Sequence, residues 1–229
     1  MPEAALIVWV SLEGPNGVGK TRLAHRLAQR LGSGCVLLEE ISDLRGDGLP
    51  PTLVGALAAG GDPFLRGASP LARTLVLLAL KTRAFEQARC SGAAVVLEDR
   101  GVDTVAAYQA AVLAGTGAPP ELLHREMERV YATVSAFRPL PDLTLLLLDD
   151  PAVCARRYAL RTGRPMDAGE RALSDCATAL YRHRAEREPR RFRVVDRRGL
   201  DEDAVVDRLA RAVVEATNEE EDLPCPTGT

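Results

Sequence analysis

Five short apolar runs, over 6–12, 35–38, 93–97, 143–148 and 192–195, stand among longer stretches whose apolar residues recur every three or four positions. The runs carry Val and Leu at successive positions, which predicts strands covered by helices on both sides. Helical spacing fills 21–31, 70–89, 103–114, 120–137, 151–161, 170–188 and 201–216. This alternation predicts an α/β fold: three layers, doubly wound about a five-stranded parallel sheet, with any ligand outside the carboxyl ends of the strands. Pro139-Leu140-Pro141-Asp142 punctuates the return to the fourth strand. One domain is expected over 1–217. Glu219-Glu220-Glu221-Asp222 opens what reads as a flexible acidic tail, 218–229.

Composition narrows the class without naming a chemistry. The chain has 229 residues, a formal charge of −3 and 46% hydrophobic residues, which suits a soluble globular domain and no nucleic-acid polymer. Of its 29 basic residues only Lys20 and Lys81 are lysines, so the mere presence of an arginine means little. The five cysteines form no C-x-x-C pair and no zinc spacing with the three histidines, as expected in a reducing, cytoplasmic setting. The first apolar run ends in a glycine turn and reads as a strand, not a signal peptide. No run of 18 apolar residues predicts a membrane span. His25, His124 and His183 stand singly on helices and suggest no triad.

Chemistry enters with Gly14-Pro15-Asn16-Gly17-Val18-Gly19-Lys20-Thr21, which fits the phosphate-loop pattern G-x-x-x-x-G-K-[ST] between a strand and a helix. Backbone N–H groups of such a turn converge on phosphate oxygens, and the helix N-terminus adds partial positive charge. A nucleoside triphosphate is the expected ligand, held by Gly14, Asn16, Gly17, Val18, Gly19, Lys20 and Thr21. Lys20 would reach the terminal phosphates and Thr21 a magnesium ion. Asp99 and Arg100 close the third strand at the same edge. They read equally as a magnesium-and-phosphate pair or as a buried ion pair. Arg156, Arg157, Arg161 and Arg164 precede or flank a Gly163–Pro165 break, which fits a closing lid over about 156–170 or a solvated basic face. Arg83, on a long amphipathic helix, and Arg45, in a glycine-containing loop after the second strand, are weaker candidates that surface decoration would also explain.

With these residues assembled, the chain resembles the thymidylate kinases, nucleoside monophosphate kinases of the P-loop NTPase type with a helical lid. Glu13 to Thr21 resembles the family's opening loop, and Ser69-Pro70-Leu71-Ala72 through Arg83-Ala84 its acceptor helix. Asp99-Arg100, Thr104 and Ala107-Tyr108-Gln109 resemble its D-R…A-Y segment. Pro141-Asp142-Leu143-Thr144, Arg157, Arg161, Asp167 and Tyr181 resemble its fourth strand, lid and following helix. The resemblance implies ATP and Mg2+, dTMP as acceptor and a homodimer. It implies Lys20, Arg100, Arg157 and Arg161 as catalytic residues, with Arg157 and Arg161 also holding ATP. It implies Asn16, Arg45, Arg83, Arg100, Thr104 and Tyr108 at the acceptor, and Thr21 with Asp99 at the metal. The family carries Asp where Asn16 stands, R-E-P-G-G where this chain reads Glu39-Glu40-Ile41-Ser42-Asp43, an aromatic at Ala79 and another at Gly101.

Acceptor chemistry separates two enzymes. A monophosphate is mostly dianionic at pH 7 and needs cations, not a base. A nucleoside hydroxyl needs a carboxylate to take its proton, for which Glu39, Glu40 and Asp43 are candidates. A third reading is a nucleotide-dependent binding module without turnover.

Overall fold

The computed structural model describes residues 7–41, 49–58 and 69–221. Strands β1 (Val8–Glu13), β2 (Cys35–Leu38), β3 (Val95–Asp99), β4 (Leu143–Leu148) and β5 (Phe192–Asp196) form a parallel sheet in the order β2-β3-β1-β4-β5. Alternation along the strands assigns the layers. Val8, Val10 and Leu12, with Leu143, Leu145 and Leu147, pack under α1 (Lys20–Leu31) and α8 (Glu202–Glu221). The opposite face, with Leu146 and Leu148, meets α3 (Pro70–Ala88), α4 (Val102–Ala114), α5 (Pro120–Ser135) and α7 (Ala168–Arg187). Ser11, Glu13 and Thr144 lie on that second face, buried and polar. Helices α2 (Leu49–Ala58) and α6 (Pro151–Thr162) complete the set among the described residues.

Both sheet faces are covered, so the doubly wound expectation holds. The five expected strands agree with the observed ones to within two residues. Helix α2 was not expected, because Pro50, Pro51 and Gly55 mask its pattern; proline is nonetheless tolerated in a first helical turn. Arg73 Nη1 donates to the Leu57 carbonyl (2.8 Å), tying α2 to α3. At the other end, α8 runs to Glu221, past the 217/218 boundary expected from the sequence. Glutamate is a good helix former, and extending an existing helix is cheap. The expected lid resolves into the end of α6, a left-handed Gly163 (φ 74°), and a capping box in which Asp167 and Glu170 start α7.

β1 and β3 are neighbours, but the chain leaves them on opposite faces, through α1 and α4. This is the switch point where an open α/β sheet leaves a crevice. Pairing of Leu12 with Asp99 brings the two strand ends level there.

Candidate active site

On one side of the crevice stands the glycine loop. Gly14 (φ 140°), Gly17 (φ 81°) and Gly19 (φ 96°) adopt conformations that side chains disfavour. A Cβ on Gly17 would overlap the Cys154 carbonyl oxygen, so α6 lies directly on the loop. Gly19 caps α1 with no side-chain cap and no acidic residue in the first turn, which leaves the leading N–H groups to an anion. Val18 N–H donates to the Pro15 carbonyl (3.3 Å), and Asn16 is buried within the turn. Lys20 is buried too; its Nζ donates to the carbonyls of Gly14 (2.6 Å) and Pro15 (2.9 Å). Burial, then the Arg100 charge, pull the Lys20 ammonium down to about 7, against the attraction of Asp99, Glu40 and Glu13.

The end of β3 forms the other side. Arg100 is left-handed (φ 63°), and its N–H donates to the Leu12 carbonyl (3.2 Å). Gly101 N–H donates to Ser11 Oγ (3.1 Å) and Glu13 Oε1 (2.7 Å). A Cβ at Gly101 would overlap Ser11 Oγ and sit 3.0 Å from Glu98 Oε2, so this chain has no space for a side chain there. Asp99 is buried, and neither carboxylate oxygen has a hydrogen-bond partner among the described residues. Arg100 Nε pairs with Glu40. Burial opposes the Arg100 charge, but Glu40 and Asp99 hold its pKa above the ordinary value.

Glu13, missed as a site residue, links these parts. Its carboxylate accepts from Ser11 Oγ (2.6 Å), Gly101 N–H, Thr104 Oγ1 and Tyr181 OH (3.2 Å). Burial and the nearby Asp103 push it up to about 7, although those hydrogen bonds favour the ionised form. The polar residues Ser11 and Glu13, alternating on an otherwise apolar strand, were the available signal. Thr104 and Tyr181 therefore meet at Glu13, and Tyr108 packs edge-on to Tyr181 with ring centroids 6.5 Å apart.

The lid arginines divide. Arg157 Nη1 donates to Asp149 Oδ2 (2.7 Å), and around Cys154 stand Asp149, Arg157, Lys20 and Arg197, which brings Arg157 to the loop. Arg161 stays exposed one turn further out, its guanidinium 5.7 Å from the Tyr158 ring centre. Arg164 is a structural strut, bidentate to the buried Glu170 (2.6 and 2.7 Å). Arg83 stands on the outer face of α3. It is exposed, donates to Gln87 (3.1 Å), and shares an outer groove with Ala79. Residues 79 and 83 lie one turn apart on one face of α3, whereas Thr74, Leu78 and Lys81 occupy the buried face. There Thr74 Oγ1 donates to Gln109 (3.0 Å), and Lys81 Nζ to the Arg100 carbonyl. Beneath them Arg138 is bidentate to Glu98 (3.1 and 3.2 Å), a buried pair that fixes the strand end. Arg45 and Asp43 lie outside the described residues.

Among the described residues no three His, Cys, Asp or Glu gather as a metal cluster, and no helix is long and apolar enough to cross a membrane. No protein-family model matches the chain. A thymidylate kinase of Thermomicrobium roseum is 33% identical over 213 residues, covering 90% of this chain and 94% of the relative. This chain belongs to the thymidylate kinase family. A second thymidylate kinase, from Pseudomonas syringae pv. tomato, is 31% identical over 82% of this chain and 87% of its own. The solved thymidylate kinase of Candida albicans shares the fold, with a TM-score of 0.65, 20% identity and 95% of each chain covered.

Proposed function

We propose that this protein transfers the γ-phosphoryl group of ATP to a deoxynucleoside monophosphate, with dTMP as the acceptor. The reading is carried by one juxtaposition: the Lys20 loop and the Asp99-Arg100 turn share the β1/β3 crevice. An acceptor phosphate oxygen attacks the γ-phosphorus, and the bond to the β–γ bridging oxygen breaks, releasing ADP. The acceptor is already dianionic, so no proton has to leave it. Lys20 turns from the loop carbonyls to the phosphates, and Arg100 draws the acceptor phosphate in. Arg157 and, on lid closure, Arg161 offset the charge of the phosphoryl group in transit. Asn16, Thr104 and Tyr108 line the acceptor side. The two buried carboxylate oxygens of Asp99, without hydrogen-bond partners among the described residues and close to Lys20, fit a hydrated magnesium ion. Thr21 and Asp99 would hold that ion, which supplies charge neutralisation at the phosphates.

One observation favours a second reading, a nucleoside kinase. Glu40 sits on Arg100 at the crevice, where a base for an acceptor hydroxyl would stand, whereas Glu39 is exposed. ATP offered with a panel of monophosphates and nucleosides, read by product mass, separates the two. We expect dTMP to gain one phosphate and free nucleosides none, with Glu40→Gln retaining turnover. Nucleoside phosphorylation abolished by Glu40→Gln would replace the first reading with the second.

We also assign the protein a cytoplasmic location, which the free thiols of Cys35, Cys90, Cys154 and Cys176 suit. It is assigned a homodimer through the outer face of α3, where Leu71 (54%), Leu75 (49%) and the neighbouring Phe137 (70%) are exposed. Sedimentation should give twice the chain mass, reduced to one by Leu75→Arg; a parental monomer would remove the dimer.

A further inference from the structure

Arg197 follows β5 directly, and its position in the fold is fixed: its N–H donates to the Leu148 carbonyl (2.8 Å) at the end of β4, and its own carbonyl accepts from Leu200 (3.0 Å). The side chain is 6% exposed, unusual for arginine, and Nη1 donates to the carbonyl of Val18 inside the phosphate loop. A Cβ on Gly19 would stand 2.6 Å from that same Nη1, so the guanidinium lies against the loop where it enters α1.

A loop whose N–H groups converge inward must turn carbonyls outward. An outward carbonyl shut away from water needs a donor. Val18 is fully buried, and Arg197 is its donor. For stability alone the arrangement is poor. Nε has no hydrogen-bond partner among the described residues, and Asp149, whose charge favours the guanidinium, is already engaged by Arg157 (2.7 Å). Burial, then the charge of Arg157, pull the Arg197 pKa down; Asp149 and Glu202 only partly offset this. A buried cation so incompletely matched is retained more readily for a site that receives anions than for packing.

We propose that Arg197 is a positioning residue for the ATP side: it holds the Val18–Gly19 peptide so that the loop amides point at the polyphosphate. The inference rests on the kinase reading. It concerns the donor half of the site alone, and the acceptor half lies across the crevice at Arg100 and Thr104.

The test compares the parent with Arg197→Met and Arg197→Lys by calorimetric titration with ATP and with inorganic tripolyphosphate, beside steady-state kinetics. Arg197→Met should weaken both ligands and raise the KM for ATP by about tenfold or more, the usual worth of a charged hydrogen bond. The KM for the monophosphate should stay within about twofold. Arg197→Lys, which keeps a donor and a charge, should restore most of the loss. Unchanged binding in Arg197→Met, an equal rise in both KM values, or no rescue by lysine would overturn the assignment. A parent that binds neither ATP nor tripolyphosphate would overturn the kinase reading as well.

Discussion

Lys20→Ala should lower kcat on the order of 10³-fold, the scale on which removal of one preorganised charge stabiliser acts. The fold should survive. Among the described residues the Lys20 ammonium braces the Gly14 and Pro15 carbonyls, and it is a buried charge held at about 7 by burial and Arg100. Its folded pKa lies below the unfolded value of 10.5. The cost of charging it is therefore fully present below about pH 7 and fades as pH rises from 7 to 10.5. Polyphosphate reverses the balance by restoring the charge. ATP binding near pH 8 should then take up a proton through Lys20, and affinity should weaken as pH climbs above about 7. Titration in buffers of different ionisation heat measures that uptake. It should be present in the parent and lost in Lys20→Ala. Equal uptake in both, or near-parental turnover of the variant, would take Lys20 out of the chemistry.

The second large effect is expected at Asp99. Asp99→Asn should lower turnover about 10–100-fold, the usual cost of losing a carboxylate that orients a metal through water. The magnesium concentration for half-activation should rise in parallel. Asp99 is also one of the charges that favour the Lys20 ammonium, so its removal should move the proton-uptake window to lower pH. The two effects can be read separately. A magnesium titration at fixed pH reports the first, and a pH series at saturating magnesium reports the second. A variant with parental magnesium dependence would reduce Asp99 to a structural carboxylate.

What was legible beforehand follows from how each feature is encoded. The phosphate loop is eight consecutive residues between a strand and a helix, so its conformation is local, and the structure shows it with glycines at the three positive φ angles. Asp99 and Arg100 were legible because they end a strand that must lie in the same sheet. The outward side of Arg83 was not legible, because a motif match gives a position along α3 but not the helix's rotation, which the burial of Thr74, Leu78 and Lys81 decides. Glu13 was passed over because its four partners come from β1, the turn after β3, α4 and α7. Arg197 carried no signal at all: its partner Val18 lies 179 residues away in the chain.

By itself the sequence determined the alternation of strands and helices, the parallel sheet and the phosphate loop. Periodicity and glycine spacing act over a few residues, and backbone sterics read them directly. The tertiary structure alone decided which charges face the crevice. It set Glu40 on Arg100, Arg157 on Asp149 and Arg197 on Val18. Pairing of charges depends on helix rotation and strand order, which the packing of the whole core sets at once.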